Sequence, residues 1–239
     1  MNAERALKYA RVAGVLYAIS LVAGGFGESY VPQRLLAAND LAETAHRVAN
    51  SVGLFRASFA VYLVEATCDI ALNVLLYALL RPVSRTLSLL AACFGLMGTA
   101  VFAAGEIFYF AAALPAVDTD VARVISPDIK AALTYLGLTI FGYVFAIFAT
   151  FYGTAAVVRG YLIVRSGYLP RALGAILMVG GLSFVAENFL IVLTPKFNLP
   201  YLIAPMMLAM ASMMLWLLIK GVDGVRWDEM RLREPEGRS

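Results

Sequence analysis

The sequence predicts an all-α polytopic membrane protein, a helical bundle of six transmembrane helices with both termini in the cytoplasm. Composition is the first indication, because 62% of the 239 residues are hydrophobic, only 15% are charged and the mean hydropathy is +0.80. Apolar stretches of membrane-spanning length recur along the chain, and the basic residues are unevenly divided between the connections. We expect a single six-helix transmembrane domain over residues 1–222 and a polar cytoplasmic tail over residues 223–239.

The six predicted spans take up most of the chain and leave no room for a separate soluble domain. A helix needs about 20 apolar residues to cross the bilayer. The fourth span is expected to begin before it enters the bilayer, because Ser126, Pro127 and Asp128 form a favourable helix start. The stretches that meet or approach the required length are residues 12–30, 55–80, 86–113, 133–158, 173–193 and 201–219.

Basic residues set the predicted orientation. With a cytoplasmic amino terminus, 13 Lys and Arg residues, Arg159 among them, fall on the inner side and 6 fall on the outer side. An excess of Lys and Arg marks the cytoplasmic side of a membrane protein. A signal peptide over residues 1–27 is the less favoured alternative, because its apolar run exceeds the roughly 7–15 residues of a signal-peptide core. The basic residues are dispersed, so the expected partner is the lipid bilayer and not a nucleic acid.

The first outer connection, residues 31–54, is predicted to contain a short amphipathic helix. Asn39 or Asp40 can cap its start, and apolar residues then recur with helical spacing. Glu43 and Arg47 form an i,i+4 pair on the solvent side. His46, the one histidine of the chain, is expected to face solvent on the same helix.

Polar side chains form a stripe along the second predicted span. Spacings of three and four residues place them on one face of an α-helix. Each ionisable group near the bilayer centre costs roughly 2.5–3.5 kcal/mol, so this face must look toward other helices or water and not toward lipid. The members of this polar stripe are Ser58, Tyr62, Glu65, Asp69, Asn73 and Tyr77.

Further acids fall in the outer halves of other spans, which predicts an acidic pocket open to the outside and closed near the bilayer centre. Tyr135, Thr139 and Tyr143 are candidate hydroxyl donors from the fourth span, and Glu28 marks the outer end of the first. The candidate ligand-binding residues are Glu65, Asp69, Glu106, Glu187, Tyr62, Asn73, Tyr143 and Arg56.

Three functions are compatible with these residues. The favoured one is a site that binds or moves a cation, a proton or a cationic or polar small solute, because several acids face one outer arginine. The alternative is a non-catalytic accessory protein whose buried acids hold helices together by hydrogen bonds. The least favoured is an intramembrane enzyme that uses a carboxylate pair as acid and base. The ligand, the oligomeric state and any protein partner stay open.

Several chemistries find no support in the sequence. One histidine argues against a three-histidine zinc hydrolase and against bis-histidine haem ligation, so no cofactor is predicted, whereas metal binding by the acids stays open. The G-x-S-x-G, G-x-G-x-x-G and G-x-x-x-x-G-K-[ST] motifs are absent, and no catalytic residue is assigned. Cys68 and Cys93 are expected to be small apolar fillers within the spans.

Three segments together indicate a family. They are ARVAGVLYAISLVAGG at residues 10–25, YALLRPVSRTL at residues 77–87 and GYLIVRSGYLPRALGAILMVGG at residues 160–181. With these segments the chain resembles the DUF4386 family of bacterial integral membrane proteins, a domain of unknown function, over nearly its whole length.

The resemblance implies six helices and residence in the bacterial inner membrane, but it transfers no known reaction. It also implies acids in the second, third and fifth spans, matched here by Asp69 or Glu65, by Glu106 and by Glu187. Family members often carry a histidine in the fourth span, where this chain has none.

Overall fold

The computed structural model describes residues 2–37, 40–117, 119–194 and 199–233, and no strand occurs among them. A π-helical segment, Gly25–Tyr30, joins the first two helices, and a 3₁₀ turn, Pro200–Ile203, precedes the ninth. The α-helices are α1 (Ala3–Gly24), α2 (Val31–Leu35), α3 (Leu41–Asn50), α4 (Val52–Leu80), α5 (Arg85–Val117), α6 (Thr119–Val124), α7 (Pro127–Ser166), α8 (Arg171–Leu193), α9 (Ala204–Ile219) and α10 (Gly224–Leu232).

Six helices in the described residues are long and apolar enough to cross a membrane, which confirms the predicted spans. The fourth is the most extended, because α7 begins at Pro127 and continues to Ser166. Its start is the expected one, with the Ser126 hydroxyl accepting from the Ile129 amide at 3.4 Å. The helix also runs eight residues past the predicted end at residue 158, so the residues beyond that point belong to a helix and not to a loop.

The predicted amphipathic helix of the first outer connection is α3. The Asp40 carboxylate caps it by accepting from the Glu43 amide at 2.9 Å, whereas Asn39, the alternative cap, lies outside the described residues. The Arg47 guanidinium pairs with the Glu43 carboxylate at 2.7 Å, and His46 is exposed. These contacts confirm both the cap and the ion pair.

The contacts of the chain divide it into two compact units. The first unit comprises Met1–Leu21, Cys68–Thr99 and Ala146–Ser239, and the second comprises Val22–Thr67 and Ala100–Phe145. Four of the long helices contribute residues to both units. A single transmembrane domain therefore stays a prediction, and each unit is described by itself.

In the first unit, α7 and α8 pack through pairs of glycines. A Cβ atom on Gly153 would lie 2.8 Å from the Gly181 carbonyl oxygen, and one on Gly181 would lie 2.5 Å from that of Gly153. Gly160 and Gly174 make the same reciprocal approach, at 2.6 and 2.5 Å. Small residues allow the backbones of membrane helices to approach this closely. We call these four residues the glycine seam.

The loop between α7 and α8 satisfies the carboxyl-terminal end of α4 in the first unit. The last four carbonyls of a helix have no partner within it. Here the Leu79 carbonyl accepts from the Tyr168 hydroxyl at 2.7 Å and from the Trp227 indole at 3.0 Å. Burial raises the pKa of the Tyr168 hydroxyl, which therefore stays a donor. Gly167 allows the turn before Tyr168, because its φ of +70° favours glycine.

The residues after α9 differ from the polar tail that the sequence suggested. They form α10, whose start is capped by the Asp223 carboxylate accepting from the Arg226 amide at 3.2 Å. Trp227 is 2% exposed, so the helix is anchored in the first unit by an apolar side chain and does not extend away from it. Residues 234–239 lie outside the described part of the chain.

Candidate functional site

The four predicted acids are all buried, but they fall in different units. Glu65 and Glu106 belong to the second unit, whereas Asp69 and Glu187 belong to the first. The polar stripe of α4 is divided in the same way, with Ser58 and Tyr62 beside Glu65. Five of its six members are buried, and Tyr77 is partly exposed, which confirms that this face of α4 looks inward.

Three acids of the second unit form what we call the acidic cluster: Glu28, Glu65 and Glu106. A Cβ atom added to Gly24 would lie 3.1 Å from a carboxyl oxygen of Glu65 and 3.7 Å from one of Glu28, so these two carboxyls lie on the same side of Gly24. The carboxyl of Glu28 is also close enough to act electrostatically on Glu106. Glu28 lies in the π-helical segment, a rare conformation that is frequent at functional sites.

Tyr62 holds the π-helical segment in place. Its hydroxyl donates to the Gly27 carbonyl at 2.7 Å, and a Cβ on Gly27 would lie 2.5 Å from the Tyr62 ring. The residue at this position must therefore be glycine for the ring to fit. Tyr62 was predicted as a ligand-binding residue, and the structure places it against the acidic cluster as a positioning group.

Glu106 is the most isolated acid of the cluster. Its side chain is 1% exposed, and neither carboxyl oxygen has a hydrogen-bond partner among the described residues. Its surroundings are aromatic, because its charge acts on the Tyr62 and Tyr109 side chains. A buried charge without a partner is costly, so an ionised Glu106 would require an added cation.

No Lys or Arg side chain among the described residues of the second unit is buried. Arg56, predicted to join the pocket, is exposed at the start of α4 and not part of the acidic cluster. Tyr143 is 55% exposed and Tyr135 45%, so the predicted hydroxyls of α7 face outward as well. Their spacing of four residues put them on one helical face but could not tell which face was buried.

In the first unit, Asp69 belongs to a polar network with partners on other helices. The Ser20 hydroxyl donates to the Asp69 carboxylate at 2.9 Å, and the charge of Arg159 acts on the same carboxylate. Asn73 donates to the Asp69 carbonyl at 2.7 Å and accepts from the Arg159 guanidinium, which also donates to the Ala91 carbonyl at 3.5 Å.

Arg159 is the residue that sequence reasoning missed. It is 3% exposed, whereas the charge pattern counted it as a cytoplasmic residue that orients the chain. Tyr17 and Tyr152 complete its surroundings, because both the charge of Arg159 and the Tyr152 side chain act on the Tyr17 hydroxyl. Gly95 leaves room for this contact, since a Cβ there would collide with Asn73 and Arg159. The available signal was the seven-residue spacing from Tyr152, which places Arg159 on the same face of α7.

Glu187 does not join the Asp69 network, whose partners come from α1, α4, α5 and α7. It lies on α8 beside Asn188, and both side chains are buried. The Glu187 Oε2 and Asn188 Oδ1 atoms have no hydrogen-bond partner within the described ranges. No hydrogen bond or ion pair among the described contacts joins Glu187 to Asp69, and their sharing of a pocket stays a prediction.

Two further findings concern metals and thiols. No group of three or more His, Cys, Asp or Glu residues in the described part of the chain could hold a metal ion. Neither Cys68 nor Cys93 forms a disulfide.

Comparison with known proteins gives a family. A family model described as a domain of unknown function, DUF4386, matches residues 12–221, which include all four predicted acids. The chain belongs to the DUF4386 family. This result confirms the resemblance carried by the three sequence segments, and with the six long apolar helices it identifies a multi-pass membrane protein.

The other comparisons add little to the family assignment. An uncharacterized protein of Archaeoglobus fulgidus is 29% identical to this DUF4386 chain over 122 residues. The match covers 51% of the chain and 59% of that relative, so the chain spans less than two thirds of the relative's length. No solved structure matches the chain.

Proposed function

We propose that this DUF4386 protein binds a proton or a small cation at the acidic cluster, within the inner membrane of a bacterial cell. Both termini lie in the cytoplasm and the cluster opens to the outside in this proposal. The excess of basic residues in the segments 1–11, 81–85, 165–171 and 220–238, without the buried Arg159, supports that orientation.

Glu106 is the observation that carries the proposal. Its carboxyl is buried, lacks any hydrogen-bond partner among the described residues and lies in a unit without a buried Lys or Arg. A carboxylate in such a place is unstable unless positive charge accompanies it. A proton on the carboxyl or a cation beside it removes the unfavourable charge, and the nearby Glu28 increases the affinity for either.

The second candidate function is a non-catalytic accessory protein whose acids join helices by hydrogen bonds. Among the four acids, only the contacts of Asp69 favour this role. Asp69 accepts from Ser20 on α1 and interacts with Arg159 on α7. An acid that already has a hydrogen-bond donor and a nearby guanidinium has less need of an external cation. We therefore assign Asp69 and Asn73 to stability and the acidic cluster to binding.

Thermal unfolding tests the proposal. The purified protein in lipid nanodiscs is melted over a series of pH values, and at fixed ionic strength with sodium, potassium or tetramethylammonium chloride. A site that binds a cation or proton more tightly when folded is stabilised by it, by about 2.7 kcal/mol at a concentration 100 times Kd. For a chain of this size that stabilisation raises Tm by roughly 5–10 °C.

Glu106→Gln is the informative variant, because glutamine keeps the shape of the side chain and cannot ionise. We expect it to fold and to lose most of the dependence on protons or on the stabilising cation. Glu43→Gln is the matched control, since Glu43 belongs to the same unit but pairs with Arg47 on α3. A wild-type Tm that responds to none of these additions, or an unchanged response in Glu106→Gln, would contradict the proposal.

A further inference from the structure

We infer that the occupant of the acidic cluster is a proton, and that Glu28 is its entry point. This inference rests on the proposed function and narrows the class of occupant from any small cation to the hydrogen ion. It follows from the packing around the acids, from the gradient of exposure among them and from the way the π-helical segment is held.

The aromatic side chains around the acids pack on each other and not around a space for a ligand. Phe55 stacks on Tyr109 with ring centroids 4.2 Å apart and an interplanar angle of 4°. The Tyr62 ring meets those of Tyr109 and Phe102 edge to face, at 5.3 and 5.5 Å. The centroid of the Phe141 ring lies 5.1 Å from that of Tyr109. An organic cation recognised by aromatic rings needs free ring faces, whereas Phe55 and Tyr109 stack face to face.

A metal ion is no more suitable than an organic cation as the occupant of the acidic cluster. Hard cations take six or more oxygen ligands or keep several waters. The residues that the structure describes contain no grouping of acids able to hold a metal ion. A proton needs one acceptor oxygen and no space beyond it, and neither oxygen of Glu106 has a hydrogen-bond partner in the part of the chain that the structure describes.

The three acids differ in exposure in the order that the proposed proton path requires. Glu28 is partly exposed, Glu65 is 7% exposed and Glu106 is 1% exposed. Each comes from a different helical segment, so the order does not follow from a single helix face. Tyr62 fixes the entry end, because its hydroxyl bond to Gly27 holds the segment that carries Glu28.

The transfer requires no other reactant. A proton from water forms an O–H bond with the Glu28 carboxylate, that bond then breaks, and the proton forms a new O–H bond with a carboxylate oxygen further in. The sequence of transfers ends with a neutral Glu106. The other titratable groups that face this path are the Tyr62 hydroxyl on α4 and the Tyr109 hydroxyl on α5. From α7 the path meets the Phe141 ring, whereas the tyrosines of α7 in this unit are exposed.

Infrared difference spectroscopy tests the inference, because protonated carboxyls absorb apart from carboxylates. The protein in lipid nanodiscs is taken through a pH jump in sodium-free buffer, and the protonated-carboxyl band is followed in time. We expect Glu106→Gln to remove one band and Glu28→Gln to keep it while slowing its response roughly 100-fold, the lower range for a positioned proton-transfer group. Glu106→Asp, which keeps the carboxyl, should shift the band, and Glu43→Gln should change nothing.

Two results would overturn the inference. One is a protonated-carboxyl spectrum that is the same in Glu106→Gln and the wild type, and the other is a response in Glu28→Gln as fast as that of the wild type. Failure here is distinguishable from failure of the proposed function. If sodium or tetramethylammonium stabilises the wild type but not Glu106→Gln, and no band belongs to Glu106, the cation site stands and the proton assignment is wrong. If neither cations nor pH affect Tm, both are wrong.

Discussion

Replacing Arg159 with methionine is expected to lower the free energy of unfolding by about 1–3 kcal/mol, the cost of leaving buried hydrogen-bonding groups without their partner. The guanidinium donates to Asn73 and to the Ala91 carbonyl and acts on Asp69, and all of these groups are buried within the first unit. Without it, the Asp69 carboxylate keeps only the Ser20 hydroxyl as a side-chain donor among the described contacts.

Denaturant titration in bicelles measures this effect. Arg165→Met is the matched control, because Arg165 lies on the same helix but is exposed and contacts only the exposed Tyr161. A second change, Asp69→Asn, should recover part of the loss in Arg159→Met, since it removes the charge that the missing arginine left uncompensated. If Arg159→Met costs no more than Arg165→Met, the network does not stabilise the fold.

Replacing a glycine of the glycine seam with alanine is expected to cause the second large loss of stability. A Cβ on Gly160 would lie 2.6 Å from the Gly174 carbonyl oxygen and 2.9 Å from the Met178 amide nitrogen, so backbone must move to admit it. Overpacking of this kind costs typically about 1–3 kcal/mol. We expect Gly160→Ala to fall within this range despite the roughly 1 kcal/mol that alanine gains over glycine in helix propensity.

Gly142→Ala is the control for the seam, because Gly142 lies on the same helix and its Cβ would meet nothing within 4 Å. This change should be neutral or slightly stabilising. Because Gly160 and Gly174 share one contact, the double alanine variant should lose less than the two single losses combined. Equal stability of Gly160→Ala and Gly142→Ala would show that α7 and α8 do not approach as closely as the seam requires.

The sequence was sufficient for the features that depend on local pattern. Apolar length placed the six spans, the three- and four-residue spacing from Ser58 to Asn73 identified the inward face of α4, and the Asp40 cap and Glu43–Arg47 pair followed from residue type and position. Each of these properties is set by neighbours within one or two helical turns.

The features that failed depend on contacts between distant segments. The sequence around Arg159 is the same whether its side chain faces water or Asn73. Only the packing of α7 determines which of the two it contacts. Tyr143 and Tyr135 share a face of α7, yet that face is exposed. Trp227 was included in the polar tail, because nothing near it in sequence reveals the Leu79 carbonyl that accepts a hydrogen bond from its indole.

The π-helical segment is the feature of the candidate site that no sequence pattern predicted. The segment carries Glu28, which has a carboxyl oxygen 3.7 Å from the Cβ position of Gly24. The Tyr62 hydroxyl that holds it comes from a residue 35 positions away along the chain. Long-range hydrogen bonds of this kind have no local signature.

The state of the Glu106 carboxyl in a lipid bilayer is the most direct test of the account. In protein with labelled glutamate carboxyl carbons, the Glu106 signal can be assigned by its loss in Glu106→Gln and followed by solid-state nuclear magnetic resonance as pH and sodium are varied. We predict a protonated carboxyl at neutral pH in sodium-free buffer, or a signal that shifts when sodium is added. An ionised carboxylate at neutral pH in sodium-free buffer, unmoved by added sodium, would contradict the account.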